Sequence, residues 1–238
     1  MPYPVNNLSE ADEDLILDTI DQFLERDVRP YAHDLEAADE YPKAIAEKLV
    51  ELGLMGATIS SEYGGLGLSA ATYTRIVERV SAVWMSVSGI FNAHLIMAQT
   101  VERAGTEEQK QKWLPRFASG ELLGGVALTE PDCGTDLQGV RTKAVRDGDE
   151  YIIDGNKMWI TNSVQGNILA VLVKTDPNTD PPHRGMSLIL VERKSGYEAA
   201  KLKKLGYRGI DTGELIFDGV RVPSENLIGG EEGRGLQQ

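Results

Sequence analysis

The sequence is short of cysteine, histidine and positive charge. Its 238 residues contain one cysteine, Cys133, and three histidines that lie far apart. A single thiol cannot form an internal disulfide, which fits a reducing compartment. Scattered histidines lack the spacing of a zinc site, so we expect no metal. The formal net charge of -13 repels nucleic acid and anionic membranes at long range, so we expect neither as a partner.

Long apolar runs and targeting patterns are also missing. No 18 consecutive residues are apolar, so we expect no membrane-spanning helix. The N-terminus lacks a basic segment followed by an apolar stretch, so we expect no secretory signal and a cytoplasmic location. The apolar fraction of 41% is enough for a sizeable core in one or two domains.

Glycine is scarce in the first half: seven of 25 glycines lie in residues 1–118 and 18 in residues 119–238. Because glycine is unfavourable inside helices and common at turns, this asymmetry predicts an α+β protein with helices first. We place an all-α domain at 1–121 and an antiparallel β-barrel or sandwich at 122–228. The polar, glycine-rich stretch 229–238 is expected to be the start of a further helical domain in a partial chain.

Helix signals punctuate the first half. Ser9 to Asp12 and Thr106 to Gln109 have the spacing of capping boxes. Gly53 and Gly105 follow helical apolar patterns as stop signals. The periodicity predicts helices around 16–24, 42–52, 73–80 and 85–104, and another from 107.

In the second half the pattern changes to that of strands. Asp147-Gly148 and Asp154-Gly155 are typical of hairpin turns. A β-branched and aromatic bias predicts strands at 151–153, 157–161, 168–173, 186–191 and 214–217. The segment from Thr175 to Gly185 contains three prolines and is predicted to be a surface loop.

One candidate binding segment runs from Val126 to Asp136. It contains Gly134 and two threonines, Thr129 and Thr135. Glycine lets backbone N–H groups approach a ligand and hydroxyls add donors, so this loop can hold an anionic or amide-rich ligand. The alternative is a tight loop capped by its own side chains, and the loop alone favours that reading.

A second candidate segment is the strand containing Trp159 and Thr161. The indole can stack on a planar ring system, and a residue two positions further along a strand faces the same side. Ring stacking and a hydroxyl contact can therefore come from one face. The alternative is a core tryptophan beside an ordinary threonine, and the strand alone favours it.

Together, and at this spacing, the two segments resemble the acyl-CoA dehydrogenase family. Ala127 to Asp136 resembles the family's first signature, and Trp159 to Asn162 its flavin-contacting strand. Gly206 to Thr212 and Phe217 to Pro223 match later strands, and the helical half fits the family's N-terminal domain. Cys133 departs from the family's usual Ala, Gly or Ser. Because cysteine is small and inert when buried, we expect only a slight change in loop packing.

The resemblance implies that FAD contacts the first segment. Leu128 and Thr129 would face the pyrimidine part of the flavin, through backbone and hydroxyl hydrogen bonds. Gly134 and Thr135 would lie near the pyrophosphate, and Thr135 also near the thioester of the substrate.

The same resemblance implies flavin contacts from the second segment. Trp159 would stack beside the isoalloxazine, and Thr161 would hydrogen-bond near N5. Val126 and Ile160 would complete the lining.

The implied activity is α,β-dehydrogenation of an acyl-CoA to a 2-enoyl-CoA in fatty acid metabolism. FAD would accept the hydride and an electron-transferring flavoprotein would accept the electrons, in an enzyme that is usually a homotetramer. The family's base is a glutamate of a C-terminal helical domain, and none of these 238 residues corresponds to it. We therefore assign no catalytic residue and expect the chain alone to be inactive. Glu130 is instead expected to cap backbone N–H groups or to pair with a cation.

Two alternatives remain open at this stage. A flavin oxidase or monooxygenase of the same fold would let oxygen reach the reduced flavin, and a non-catalytic binding module would need no base. If the family assignment holds, Phe91, His94 and Leu95 are candidates for the wall of an acyl pocket, although a packing role is favoured for them.

Overall fold

The computed structural model describes residues 9–238, and its first half is helical. The α-helices of this half are α1 (Glu10–Phe23), α2 (Arg29–Ala38), α3 (Lys43–Glu51), α4 (Ala70–Ala104) and α5 (Glu107–Ala118). Both predicted capping boxes are present, at Ser9 before α1 and at Thr106 before α5. A π-helical turn at Leu24–Val28 joins α1 to α2. The sequence reading did not anticipate α2.

Helix α4 replaces two predicted helices. Trp84, which lies between the predicted segments, has φ -159° and ψ 103°, so the helix is kinked there. By length and composition α4 could cross a membrane, although the sequence reading expected no such helix; 61% of its apolar window is buried inside the protein. Residues such as Ile90 and Val101 have no exposed surface, which is the behaviour of a core helix.

The kink in α4 is held by the carboxylate of Glu36 on α2. This carboxylate accepts hydrogen bonds from Trp84 Nε1 at 2.9 Å and Ser86 Oγ at 2.8 Å. It also accepts from the backbone N–H groups of Arg208 at 2.7 Å and Gly209 at 2.8 Å. One side chain therefore joins two helices to a loop of the β half.

The second half contains seven β-strands in one sheet. They are β1 (Gly124–Ala127), β2 (Lys143–Asp147), β3 (Glu150–Thr161), β4 (Ile168–Lys174), β5 (Met186–Glu192), β6 (Glu198–Lys201) and β7 (Thr212–Pro223). Their order is β1-β4-β2-β3-β7-β6, and β5 pairs with β4. Helices followed by a sheet confirm the predicted α+β class.

The sheet is mixed, which corrects the purely antiparallel prediction. Strand β1 runs parallel to β4, and Lys143 of β2 pairs in parallel with Lys174 of β4. A parallel pair needs a long crossover connection, and here β2 and β3 lie in the chain between β1 and β4. Pairing across that crossover leaves no local turn signal in the sequence.

Only one of the two predicted hairpin turns forms. Gly148 has φ 63° in the turn between β2 and β3, whereas Asp154 and Gly155 lie inside β3. Gly155 has φ 143° at an irregularity in the β3–β7 register, and a Cβ there would come within 2.6 Å of Thr142. The glycine therefore marks a bulge with close backbone approach, so this turn prediction was wrong.

Strands β4 and β5 separate two hydrophobic cores. Alternate residues of β4, such as Ala170 and Val171, belong to the helical core and the β core respectively. Both strands are buried on both faces, which explains their continuous apolar sequences. The predicted boundary at 121/122 falls between α5 and β1, and residues 229–238 hold turns rather than an α-helix.

Candidate functional site

The two candidate segments meet in space. The backbone N–H of Met158, in β3, donates to the carbonyl oxygen of Thr129 at 2.8 Å. Glu130 and Cys133 close a tight bend with two backbone hydrogen bonds, of 2.9 and 3.2 Å. The bend therefore lies directly against the strand that bears Trp159.

Trp159 is presented outward by an unusual backbone conformation. Its φ is 62°, a left-handed value that is rare for a large side chain, and the β3–β7 register shifts between Lys157 and Ile160. The side chain is 56% exposed, so it is not the core tryptophan of the alternative reading. Such strain clusters at functional sites, and Trp159 is therefore a candidate ligand contact.

Ile160 and Thr161 follow Trp159 with opposite burial. The Ile160 side chain is buried in the β core, so a contact with a flavin can come only from its backbone. Thr161 is half-buried and pairs with Thr212 of β7. Because the residue between them points into the core, Trp159 and Thr161 both lie on the more open side of the strand.

The bend itself provides an open, polar surface. Gly134 and Thr135 are exposed, and a Cβ placed at Gly134 would approach nothing nearer than Thr129 Cγ2, at 3.8 Å. Upstream, Val126 and Leu128 are half-buried and pack against the helical core. Backbone atoms and hydroxyls, rather than these apolar side chains, are the groups that this surface offers to a ligand.

A buried ion pair lies behind the bend. Lys157 has no exposed surface and Glu130 is 6% exposed. Lys157 Nζ donates to Glu130 Oε1 at 2.8 Å and to the carbonyl oxygen of Leu128 at 3.0 Å. The Glu130 carboxylate also accepts from the N–H groups of Arg141 at 2.6 Å and Thr142 at 2.9 Å. The expected structural role of Glu130 is confirmed in both forms, as a backbone cap and as a partner of a cation.

The ionisation of this pair follows from its surroundings. Burial raises the pKa of Glu130, but hydrogen bonds from Lys157, Thr142 and Arg141 outweigh burial and leave that pKa below its usual value. Burial lowers the pKa of Lys157, and Glu130 opposes that change. A carboxylate held by three donors is a poor proton acceptor, so Glu130 is not a suitable base.

Lys157 was missed as a site residue because its sequence context is that of a strand. It lies two residues before Trp159 in the segment 157–161, where a lysine would ordinarily be solvent-exposed. Uninterrupted alternation would place it on the same face as Trp159 and Thr161, and only the register shift between Lys157 and Ile160 breaks that pattern. A buried lysine must be paired, and the nearest carboxylate in the bend is Glu130.

A separate cleft of about 390 Å³ runs beside α4. Its lining includes Thr58, Tyr73, Asn92, Leu95, Ile96 and Gln99. Of the candidates for an acyl wall, Leu95 contributes to this cleft, whereas Phe91 and His94 are fully buried. His94 Nε2 lies 3.1 Å from the carbonyl oxygen of Phe117, and Nδ1 accepts from the N–H of Gly124 at 3.3 Å. The packing role favoured for Phe91 and His94 agrees with this burial.

These residues fit a flavin on the grounds of shape and donor chemistry. An exposed indole in a strained conformation lies on β3, and an open glycine–threonine bend is hydrogen-bonded to the same strand. A planar ring needs an apolar face, and its amide-like pyrimidine edge needs backbone donors and hydroxyls. Trp159 supplies the apolar face, and the backbone and hydroxyl groups of the bend supply the donors.

Comparison with known proteins identifies the family of this chain. The acyl-CoA dehydrogenase N-terminal domain matches residues 10–121, and the acyl-CoA dehydrogenase middle domain matches residues 125–220. The chain therefore belongs to the acyl-CoA dehydrogenase family, whose members are FAD-dependent.

Individual relatives agree with this assignment. The chain is 40% identical to (2S)-methylsuccinyl-CoA dehydrogenase of Cereibacter sphaeroides, over 97% of this chain and 44% of the relative. Acyl-CoA dehydrogenase from Geobacillus kaustophilus has a TM-score of 0.90 at 39% identity, covering 98% of this chain and 61% of that one. A glutaryl-CoA dehydrogenase from Mycobacterium smegmatis in complex with FADH2 has a TM-score of 0.86 at 32% identity, covering 97% and 57%. The chain spans about half the length of the curated relatives it matches.

Proposed function

We propose that this chain forms one wall of the active site of an FAD-dependent acyl-CoA dehydrogenase that converts an acyl-CoA to a 2-enoyl-CoA. The observation that carries the proposal is the hydrogen bond between Met158 N and Thr129 O, at 2.8 Å. It joins the strand that bears Trp159 to the bend that contains Thr135. Neither segment would indicate a flavin without the other.

FAD, when bound, would accept the hydride from the substrate's β-carbon. The residues of this chain would bind and orient it. Backbone and hydroxyl groups of Leu128 and Thr129 would hold its pyrimidine end, and Gly134 and Thr135 would adjoin its phosphates. Trp159 would cover part of the ring and exclude water from it, and the hydroxyl of Thr161 would hydrogen-bond near N5.

The base that removes the α-proton is proposed to come from outside these 238 residues. Within the described bend, Glu130 is committed to Lys157 and to two backbone N–H groups, and its pKa is lowered. Asp132 and Asp136 are exposed. Asp132 pairs with Arg141 at 3.1 Å, and Asp136 accepts from the N–H of Gln138. The chain alone is therefore expected to bring no acyl-CoA to turnover.

The same proposal extends to partners. The reduced flavin must be reoxidised, and an electron-transferring flavoprotein is the proposed acceptor, with an acyl-CoA as the substrate. Assembly as a homotetramer and a role in fatty acid metabolism complete the proposal by analogy with the family. A cytoplasmic location stays an expectation drawn from the sequence alone.

The test compares the chain with a fusion in which the remaining C-terminal region of the Geobacillus kaustophilus relative follows Gln238. We expect the fusion to retain FAD on gel filtration and the chain alone to retain less. Anaerobic addition of straight-chain and branched acyl-CoAs should bleach the flavin of the fusion only. Turnover by the chain alone would place the base within these residues, and loss of FAD from both proteins would remove the proposed function.

Exposure of the reduced fusion to air distinguishes a dehydrogenase from a flavin oxidase or monooxygenase. A dehydrogenase should reoxidise slowly in air and rapidly with an electron-transferring flavoprotein. Rapid reoxidation by oxygen alone would indicate an oxidase or monooxygenase of the same fold.

A further inference from the structure

The buried pair of Lys157 and Glu130 is placed where it can act on the proposed flavin surface. Lys157 belongs to β3, one residue before Met158 and two before Trp159. Its Nζ reaches across to the carbonyl oxygen of Leu128, at 3.0 Å. The ion pair therefore connects the strand to the bend at the point where both are proposed to contact FAD.

Two successive carbonyl groups of the bend are held by this strand. Lys157 Nζ donates a hydrogen bond to the carbonyl oxygen of Leu128, and Met158 N donates one to that of Thr129. Rotation of either peptide plane would break a bond to β3. Downstream, Glu130 binds the N–H groups of Arg141 and Thr142, so the other side of the bend is fixed as well.

Stability alone is a weak explanation for a pair in this position. Removing two charges from water is expensive, and well-packed apolar residues often replace a buried ion pair without loss of stability. The carbonyl of Leu128 needs only one donor, which a backbone group or a neutral side chain can provide. A lysine differs from such a donor because it places a positive charge against the bend, and one carboxylate balances that charge.

We propose that Lys157 is a positioning residue for the flavin: through Leu128 and Glu130 it fixes the flavin-facing bend, and the balanced charge of the pair sets the reduction potential of the bound flavin. The proposal rests on the proposed function. It assigns Lys157 no contact with substrate or with the reacting atoms of the flavin.

The charge argument gives opposite signs for the two single variants. Lys157→Met leaves the Glu130 carboxylate uncompensated in a poorly solvated position, which disfavours the negative charge that a flavin gains on reduction. Glu130→Gln leaves the lysine cation uncompensated, which favours the negative charge of the reduced flavin. A merely structural role would move both variants in the same direction.

The experiment uses the form of the protein that retains FAD on gel filtration, fused or not. Dissociation constants for oxidised FAD and reduction potentials are measured for wild type, Lys157→Met, Glu130→Gln and the double variant. We expect Lys157→Met to weaken the binding of reduced relative to oxidised FAD by about tenfold, which lowers the two-electron potential by about 30 mV. Glu130→Gln should raise the potential by a comparable amount.

The double variant separates positioning from charge. It is neutral, so its potential should return toward the wild-type value. Its affinity for oxidised FAD should stay reduced because Leu128 O has lost its donor. Lys143→Met is the matched control. Lys143 on β2 is 58% exposed and lies 4.0 Å from the Asp154 carboxylate. The FAD affinity and the flavin reduction potential of this variant should therefore equal those of wild type.

The outcomes keep this inference apart from the proposed function. If wild type binds no FAD, the proposed function fails. If wild type binds FAD and Glu130→Gln has a potential equal to or below that of wild type, the charge argument is overturned, even where Lys157→Met does not fold. An unchanged FAD affinity in a folded Lys157→Met or double variant would overturn the positioning role.

Discussion

The backbone N–H of Met158 donates to the carbonyl oxygen of Thr129 at 2.8 Å, across 29 positions of sequence. It is a contact between a strand residue and a bend, outside the regular pairing of the sheet. Trp159, whose side chain is 56% exposed, is the next residue along this strand. The first prediction tests that side chain.

Trp159→Ala should weaken FAD binding by about 1–3 kcal/mol, the scale of losing a buried aromatic contact. The free energy of unfolding without FAD should change little, because the indole is 56% exposed in the protein itself. Isothermal titration with FAD and urea unfolding measure the two quantities. Tyr31→Ala is the control, since Tyr31 on α2 is equally exposed at 56%. Equal FAD affinity in both variants would remove Trp159 from the site.

Two glycine substitutions should separate ligand binding from folding. A Cβ at Gly134 meets nothing within 3.8 Å, so Gly134→Ala should leave stability within about 0.5 kcal/mol while placing a methyl group on the proposed flavin surface. A Cβ at Gly209 lies 2.2 Å from Trp84 Cζ2, so Gly209→Ala should destabilise by about 1–3 kcal/mol.

Thermal unfolding and FAD titration of both variants provide the measurement. The expected result is weaker FAD binding with normal stability for Gly134→Ala, and lower stability for Gly209→Ala. Normal FAD affinity in the first variant would show that the ligand does not approach this side of the bend.

The carboxylate of Glu36 should make stability sensitive to acid. Burial raises its pKa, but hydrogen bonds from Arg208, Gly209, Trp84 and Ser86 outweigh burial and lower the pKa to about 2. Because the folded state holds the ionised form more strongly than the unfolded state, the contribution is complete above pH 4.5 and is lost as the pH falls toward 2.

Glu36→Gln should lower the free energy of unfolding by about 1–3 kcal/mol at neutral pH. The amide NH₂ is itself a donor, so it cannot accept the hydrogen bonds that the carboxylate oxygen accepts. The difference from wild type should shrink between pH 4.5 and 2, as followed by urea unfolding at each pH. Glu47→Gln, on the exposed face of α3, is the control and should match wild type throughout. A difference that is constant over this range would show that ionisation of Glu36 contributes nothing.

His94 should make the free energy of unfolding depend on pH in a higher range than Glu36 does. Burial lowers the pKa of His94 to about 4, although hydrogen bonds to backbone oppose this. The folded state therefore holds the neutral ring, and its contribution is present above pH 6.5 and declines as the pH falls from 6.5 to 4. At most about 3 kcal/mol is involved, at 1.36 kcal/mol per pKa unit.

His94→Gln should be less stable than wild type at pH 7, and the gap should narrow toward pH 4. Unfolding free energies at pH 7, 5.5 and 4 decide this, with His33→Gln as the control because His33 is exposed on α2. A gap that widens on acidification would mean that the ring is charged in the folded protein.

Local signals predicted the helical half well. Ser9 and Thr106 identify helix starts because a capping box acts within four residues. Gly105 identifies a helix end for a similar reason. The kink at Trp84 was harder to predict, because the carboxylate that binds its side chain belongs to Glu36, which is distant in sequence. Sequence periodicity therefore separated the two parts of α4 without showing that one helix continues through them.

The strands of the β half were predicted in outline. The segments around Thr129 and Trp159 were singled out as candidate binding segments, and the structure places them in contact. The parallel pairing of β1 with β4 was not predictable from periodicity, because it depends on a crossover. Lys157 was likewise missed, since neither its burial nor its bond to Leu128 can be read from the residues beside it.

Asn162, in a left-handed conformation at φ 59°, donates from Nδ2 to the carbonyl oxygens of Ile90 at 2.9 Å and Gly124 at 2.8 Å. One fully buried amide thus ties α4, β1 and the end of β3 into a single joint. The helical and β halves are therefore held together by these hydrogen bonds and by the packing of one face of β4 on the helical core. A nick in the backbone between residues 118 and 124 should therefore leave two pieces that stay together and melt as one.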